Sequence, residues 1–244
     1  MKEKRIGNAR PRLQDARTHG EKGLFNSLGL PGPGIENFIN DIVHSALWEY
    51  NRPLGISIGG DTVNEYVENI DQVQTVLQHH TLPYFYEVNI SCPNTENGQT
   101  ICEDPATLNS LLSAIKKTVS NPISVKVSPD VSNETLGAIG EICTTYDTLL
   151  INAGNTQYKT PNEVGVKQIN FAMDGGGLSG PAIFQRTLEM VSLFAQFNIP
   201  IMATGGISTF NHVQALKAAG ASLFGMATAL VLDPYCIPRI HSRL

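Results

Sequence analysis

The feature that most constrains this chain is a rhythm that begins after residue 34. Short apolar runs alternate with stretches of helical period almost to the end of the sequence. The runs are 54–59 (LGISIG), 84–91 (YFYEVNIS), 123–128 (ISVKVS), 147–152 (DTLLIN), 199–204 (IPIMAT) and 222–228 (SLFGMAT). Between them, apolar residues recur at helical spacing over 35–50 (Phe38, Ile42, Ala46), 62–78 (Tyr66, Ile70, Val73, Leu77) and 105–119 (Leu108, Leu111, Leu112, Ile115). Further helical segments fall at 133–144, near 181–197 and at 209–219. Thr62 with Glu65 forms a capping box, and Asp104 with Pro105 opens the third helix. Strands alternating with helices make βα units around a parallel sheet. The runs are apolar almost throughout, as strands covered on both faces must be.

Six such strands are visible, whereas a closed (β/α)₈ barrel needs eight and typically about 250 residues. The chain has 244, and its first 34, rich in glycine and proline, read as an entry loop. The expected fold is therefore α/β, a single domain over 1–244 of TIM-barrel type, incomplete at about six βα units. The chemically informative residues sit at strand ends. Barrels and open doubly wound sheets both place ligands there, so position alone does not choose between them.

Composition narrows the function classes. A net charge of −5 speaks against a nucleic-acid binder. Cys92, Cys102, Cys143 and Cys236 form no metal-site spacing, so no metal is expected. Sparse, unpatterned cysteine suits a reducing cytoplasm. The sequence has no apolar run of membrane-spanning length and no secretory signal at its basic start. His79 and His80 read as the solvated C-terminal end of a helix, and His44, His212 and His241 have no partner pattern and read as surface or packing residues. Trp48 and Tyr50 read as core, and Cys102, Cys143 and Cys236 as structural thiols.

The densest polar cluster is 89–95 (NISCPNT). An asparagine amide offers one acceptor and two donors, which suits the alternating N–H and C=O of an imide edge. A loop cysteine can act as nucleophile or base where its thiolate is accessible. The same residues also suit a Pro-Asn turn beside an inert, buried Cys92. Lys126 by itself reads equally as a strand-end lysine reaching solvent. The glycine-rich pieces 176–180 and 205–206 each precede a helix, and glycine lets backbone N–H groups approach a phosphate closely.

At residues 89–94 (NISCPN) the chain resembles the substrate loop of the class 1 dihydroorotate dehydrogenases, closest to class 1A. The segments 7–12 (GNARPR), 26–31 (NSLGLP), 125–129 (VKVSP), 151–156 (INAGNT), 176–181 (GGLSGP), 204–207 (TGGI) and 226–230 (MATAL) agree in order and spacing. The resemblance implies a (β/α)₈ barrel that oxidises dihydroorotate to orotate in pyrimidine biosynthesis, with FMN as cofactor. It implies Cys92 as the general base. Asn26, Leu30, Asn89, Asn94, Asn155 and Thr156 would bind substrate. Lys126, Asn152, Gly177, Ser179, Gly180, Gly205, Gly206, Ala227 and Thr228 would bind FMN. Ala227 departs from the glycine that class 1A relatives usually carry. The resemblance further implies fumarate as acceptor, a homodimer, and no membrane or nucleic-acid partner.

It also implies two βα units ahead of residue 7, so the chain reads as a family barrel without its beginning. A fragment, a short paralogue that binds without turnover, and a barrel edge covered by another chain all fit that reading. Open sheet edges predict poor solubility or a partner. A tRNA dihydrouridine synthase, also an FMN barrel with a loop cysteine, is the other enzyme reading. It calls for a basic RNA-binding surface that the charge does not supply.

Overall fold

The structure is a computed structural model that describes residues 13–18, 21–28, 32–91, 101–167 and 173–244. Its centre is a curled sheet of six parallel strands: β3 (Leu54–Ile58), β4 (Tyr84–Asn89), β5 (Ile123–Val127), β6 (Leu149–Ala153), β9 (Ile201–Thr204) and β10 (Leu223–Gly225). They lie side by side in the order β10-β9-β6-β5-β4-β3, the order of successive staves in a barrel. Among the described residues β3 and β10 do not pair with each other, so the arc is open.

Helices α2 (Val63–Leu77), α3 (Pro105–Thr118), α4 (Asn133–Thr144), α5 (Phe184–Phe194) and α6 (Phe210–Ala218) follow the strands as the alternation predicts. Successive strand residues point to opposite faces. Ile56, Tyr86, Val88, Val125, Val127, Ile151 and Ala203 form one face, which is buried in a continuous core with Leu108, Leu111, Leu112, Ile115 and Phe194 from the helices. Their neighbours Ser57, Glu87, Asn89, Ser124, Lys126, Asn152 and Thr204 form the other face. That division makes one side of the sheet a hydrophobic floor and gives the other its polar chemistry.

Within the expected entry loop of 1–34, the described residues of 13–26 are corrected to strands. β1 (Leu13–Thr18) and β2 (Glu21–Asn26) form an antiparallel hairpin, with Leu13 opposite Asn26. With β7 (Gln157–Lys159) and β8 (Gly176–Ser179) they build a second sheet in the order β1-β2-β8-β7. β1 (LQDART) and β7 (QYK) are too polar or too short to show a strand pattern, and in β2 and β8 glycine packs no side chain and carries little pattern. Here the close approach requires it: a Cβ on Gly23 would lie 2.4 Å from the Ser179 carbonyl oxygen.

The helix expected over 35–50 is also two elements, α1 (Ile35–Val43) and a 3₁₀ turn at Ala46–Tyr50. Ser45 starts the turn by accepting from Leu47 N at 3.2 Å, and Trp48 Nε1 reaches back to the Ile42 carbonyl at 2.6 Å. Trp48 is buried as expected, whereas Tyr50 is 72% exposed and does not join the core. His80, expected at a solvated helix end, is instead half-buried with its ring packed on Trp48 at 3.9 Å, whereas His79 is exposed.

Cys102, Cys143 and Cys236 are buried, as structural thiols are. Burial pushes the Cys143 thiol up to about 12, which keeps it protonated and unreactive.

Asp104 caps α3, accepting from Ala106 N at 3.0 Å and Thr107 N at 3.2 Å. Hydrogen bonds from Thr107 hold its carboxyl below the ordinary carboxylate range. A depressed folded-state pKa contributes stability that is present above the unfolded value, about 3.9, and is lost as pH falls through the folded value. Asp104→Ala should therefore cost about 1 kcal/mol at neutral pH in urea unfolding, with the difference from wild type shrinking below about pH 4.

Candidate functional site

The site begins where β4, β5 and β6 end. Strand register sets Asn89 beside Lys126 and Lys126 beside Asn152, a row of three polar side chains on the polar face. One turn of pleat earlier on the same face stands Glu87. Its Oε2 accepts from Asn152 Nδ2 at 2.7 Å, its Oε1 accepts from Ser57 Oγ at 3.2 Å, and Lys126 Nζ lies 3.7 Å from Oε1. One carboxylate thereby ties together side chains from four neighbouring strands.

A second set of bonds organises the loop that leaves β4. Asn89 Oδ1 accepts from Ser91 N at 3.3 Å and from Ser91 Oγ at 2.5 Å, and Asn155 Nδ2 donates to the same Ser91 hydroxyl. Asn155 Oδ1 accepts from Thr156 N at 2.8 Å, which fixes the start of the β6 loop. Tyr66, buried on α2, donates to the Asn89 carbonyl at 2.7 Å. Cys92, Asn94 and Leu30 lie outside the described residues.

A cavity of about 250 Å³ opens beside this row, and Lys126, Asn155 and Thr156 stand in its wall. At its far end the wall is made by Ser179, Gly180, Gly205, Gly206, Ala227 and Thr228. Nine residues expected from sequence to bind substrate or cofactor thus share one enclosure. Thr228 Oγ1 donates to Ser179 Oγ at 2.7 Å, and Ser179 Oγ donates to the Leu24 carbonyl at 3.2 Å, which ties the hairpin sheet to the barrel arc.

Two glycines here are obligatory. Gly205 has φ +132° and Gly206 φ +72°, and a Cβ on Gly206 would lie 2.5 Å from the backbone of Phe184. The turn then runs into α6, whose cap Thr209 accepts from His212 N at 3.2 Å. His212 stacks on Phe184 at 4.0 Å, a packing role as expected.

Other expected positions lie differently. Asn26 is in β2, where its Nδ2 donates to the Gly177 carbonyl at 3.3 Å and locks the hairpin. Gly177, expected in a loop, is a β8 strand residue; a Cβ there would lie 2.2 Å from Thr156 Oγ1, so it makes room for a wall residue. Thr228, expected at the end of the last strand, begins the short helix α7 (Thr228–Leu232), because β10 stops at Gly225. The apolar run continues unbroken from strand into helix, so periodicity cannot mark the change.

Sequence reading missed Glu87, Thr204, Gly225, Asp233 and Cys236. The last four line the cavity, Cys236 from α8 (Cys236–His241). Glu87 had a signal: an acidic residue inside an otherwise apolar strand run is costly to cover unless paired. Asp233 is paired with Arg239, which holds its carboxyl below the ordinary range, so its charge is balanced within the wall.

A parallel α/β arc with polar strand ends opening onto a glycine-walled cavity defines a barrel-type enzyme that binds a small ligand at its strand ends. Comparison with known proteins places it further. The model of the dihydroorotate dehydrogenase family matches residues 1–244, and the chain belongs to that family. The dihydroorotate dehydrogenase B (NAD(+)) catalytic subunit of Halalkalibacterium halodurans is 34% identical, over 99% of this chain and 76% of its own length. An Aquifex aeolicus protein provisionally named dihydroorotate dehydrogenase A (fumarate) is 31% identical, over 94% of this chain and 73% of its own length. A solved Eimeria tenella dihydroorotate dehydrogenase, in complex with ferulenol, shares the fold with a TM-score of 0.72 at 20% identity, covering 90% of this chain and 66% of that one. The chain thus spans about three quarters of the length of these curated relatives and about two thirds of the solved structure. No helix among the described residues is long and apolar enough to cross a membrane.

Proposed function

We propose that the chain binds FMN and oxidises dihydroorotate to orotate. One observation carries this reading: Lys126 belongs both to the polar strand-end row and to the wall of the glycine-turn cavity. Groups suited to a heterocyclic ring and groups suited to a phosphate therefore share a single site.

The residues present fit FMN. Asn152 Oδ1 and Thr204 Oγ1 are buried without a hydrogen-bond partner. Such atoms cost about 1–3 kcal/mol each when left unmade, and a flavin ring edge offers the matching groups. At the other end, Gly205 and Gly206 exclude any side chain, so backbone N–H groups can approach an anion closely. The Ser179 and Thr228 hydroxyls lie beside that turn.

FMN, when bound, supplies the hydride acceptor for C6 of the substrate. The chain supplies the rest. Cys92 takes the C5 proton. Asn89, Asn94, Asn155 and Thr156 hold the pyrimidine ring and its carboxylate. Lys126, in the cavity wall, would supply a positive charge to offset the negative charge of the reduced cofactor.

FMN titration tests the binding half of this reading. Flavin fluorescence should quench with a one-to-one endpoint, and the loaded protein should be yellow; a protein that takes up no flavin would end the reading. The resemblance favours fumarate as acceptor, and relatives named for fumarate and for NAD(+) both match the chain. Turnover with fumarate, run beside NAD(+), assigns the acceptor: oxidation of dihydroorotate by fumarate alone is the expected result.

A further inference from the structure

We propose that Glu87 is a positioning residue, one that aims the Asn152 amide and balances the charge of Lys126 at the strand-end site. The inference rests on the FMN reading above for its electrostatic half only. The geometric half stands on the side-chain network itself.

A carboxylate can only accept hydrogen bonds, so the Asn152 group facing Glu87 Oε2 at 2.7 Å must be its NH₂. The other end of that amide, Oδ1, is then necessarily the acceptor turned away from Glu87, and it is the atom left buried and unpartnered. Glu87 thus decides that Asn152 presents an acceptor, suited to a ring N–H donor, rather than a donor. Rotating the amide would set NH₂ against the site and its oxygen against a carboxylate. Ser57 Oγ holds Oε1 from the other side at 3.2 Å, so the carboxylate itself is anchored.

The second role is electrostatic. Lys126 Nζ stands 3.7 Å from Oε1, and both side chains are largely buried, at 22% and 15% exposure. Screening is weak in such a place, so the carboxylate offsets much of the lysine's positive field. Deleting that charge leaves the site one unit more positive at any lysine conformation, which favours added negative charge on a bound ring.

Glu87→Gln, close in shape, tests both roles. In the apo protein the Asn152 side-chain NH₂ resonance, assigned by its loss in Asn152→Asp, should move when the carboxylate is removed. In the FMN-loaded protein the reduction equilibrium should shift about tenfold toward reduced flavin, about 30 mV for a two-electron couple. Glu87→Asp keeps the charge but withdraws it by one methylene. It should lose the NH₂ shift while leaving the reduction equilibrium within about twofold, and it serves as the reporter if Glu87→Gln does not fold. An Asn152 resonance that is the same in wild type and both variants would overturn the positioning role. A potential that stays or falls in Glu87→Gln would overturn the electrostatic one. If the wild-type chain takes up no FMN, the proposed function fails, and the apo resonance still decides the positioning role.

Discussion

Cys92→Ala is expected to slow reduction of bound FMN by dihydroorotate by about 10²–10⁴-fold, the usual contribution of a positioned base. FMN should stay bound, and dithionite should still reduce it at the wild-type rate. Cys92 is the residue after Ser91, which Asn89 and Asn155 hold together beside the Asn89–Lys126–Asn152 row. A thiolate base also predicts a pH dependence. The wild-type reduction rate should rise with pH as the thiol ionises and then level off, and Cys92→Ala should lose that rise. Anaerobic stopped-flow spectroscopy measures both effects. A variant that bleaches at the wild-type rate would remove Cys92 as the base and leave the flavin site untouched.

Gly206→Val is expected to weaken FMN binding by at least about 100-fold and to lower stability. With φ at +72°, a β-branched residue is strained by about 1–2 kcal/mol before any contact is counted. Its Cβ would then meet the Phe184 backbone at 2.5 Å, and main chain at the start of α5 cannot move aside as a flexible side chain could. The turn must open, which displaces the N–H groups offered to the phosphate. Gly137 provides the contrast. It lies inside α4, and a Cβ there meets nothing within 4 Å. Gly137→Ala should leave FMN affinity unchanged and stabilise the chain by about 0.5–1 kcal/mol. Fluorescence titration and thermal melts on the two variants separate a requirement for glycine from a general sensitivity to added methyl groups.

The parallel arc was legible in the sequence because strands covered by helices write apolar runs, and each of the six runs overlaps a strand of the arc. Caps were legible for the same local reason: Thr62 accepts from Glu65 N at 3.2 Å, and Asp104 caps α3 as its pattern implied. The hairpin sheet was not, because β7 and β8 have three and four residues and β8 opens with two glycines. Pairing partners there lie as far apart as Asn26 and Gly177, and no local periodicity records such a pairing. In the site, Lys126, Asn155, Thr156 and the glycine turns came from colinear motifs, and the fold gathers them in one cavity. Glu87 escaped because its role is set by neighbours on β5 and β6, 39 and 65 residues away. A single acid in YFYEVN announces burial against expectation, but only register shows which partners make it tolerable.

The central claim is that these strand ends oxidise dihydroorotate through FMN, and one anaerobic measurement tests it most directly. The chain is loaded with FMN, freed of oxygen and given one equivalent of dihydroorotate while the flavin absorbance is followed. The account predicts bleaching of the visible flavin bands with one orotate formed per flavin. A fully loaded protein that keeps its oxidised spectrum after prolonged incubation with excess dihydroorotate would contradict it.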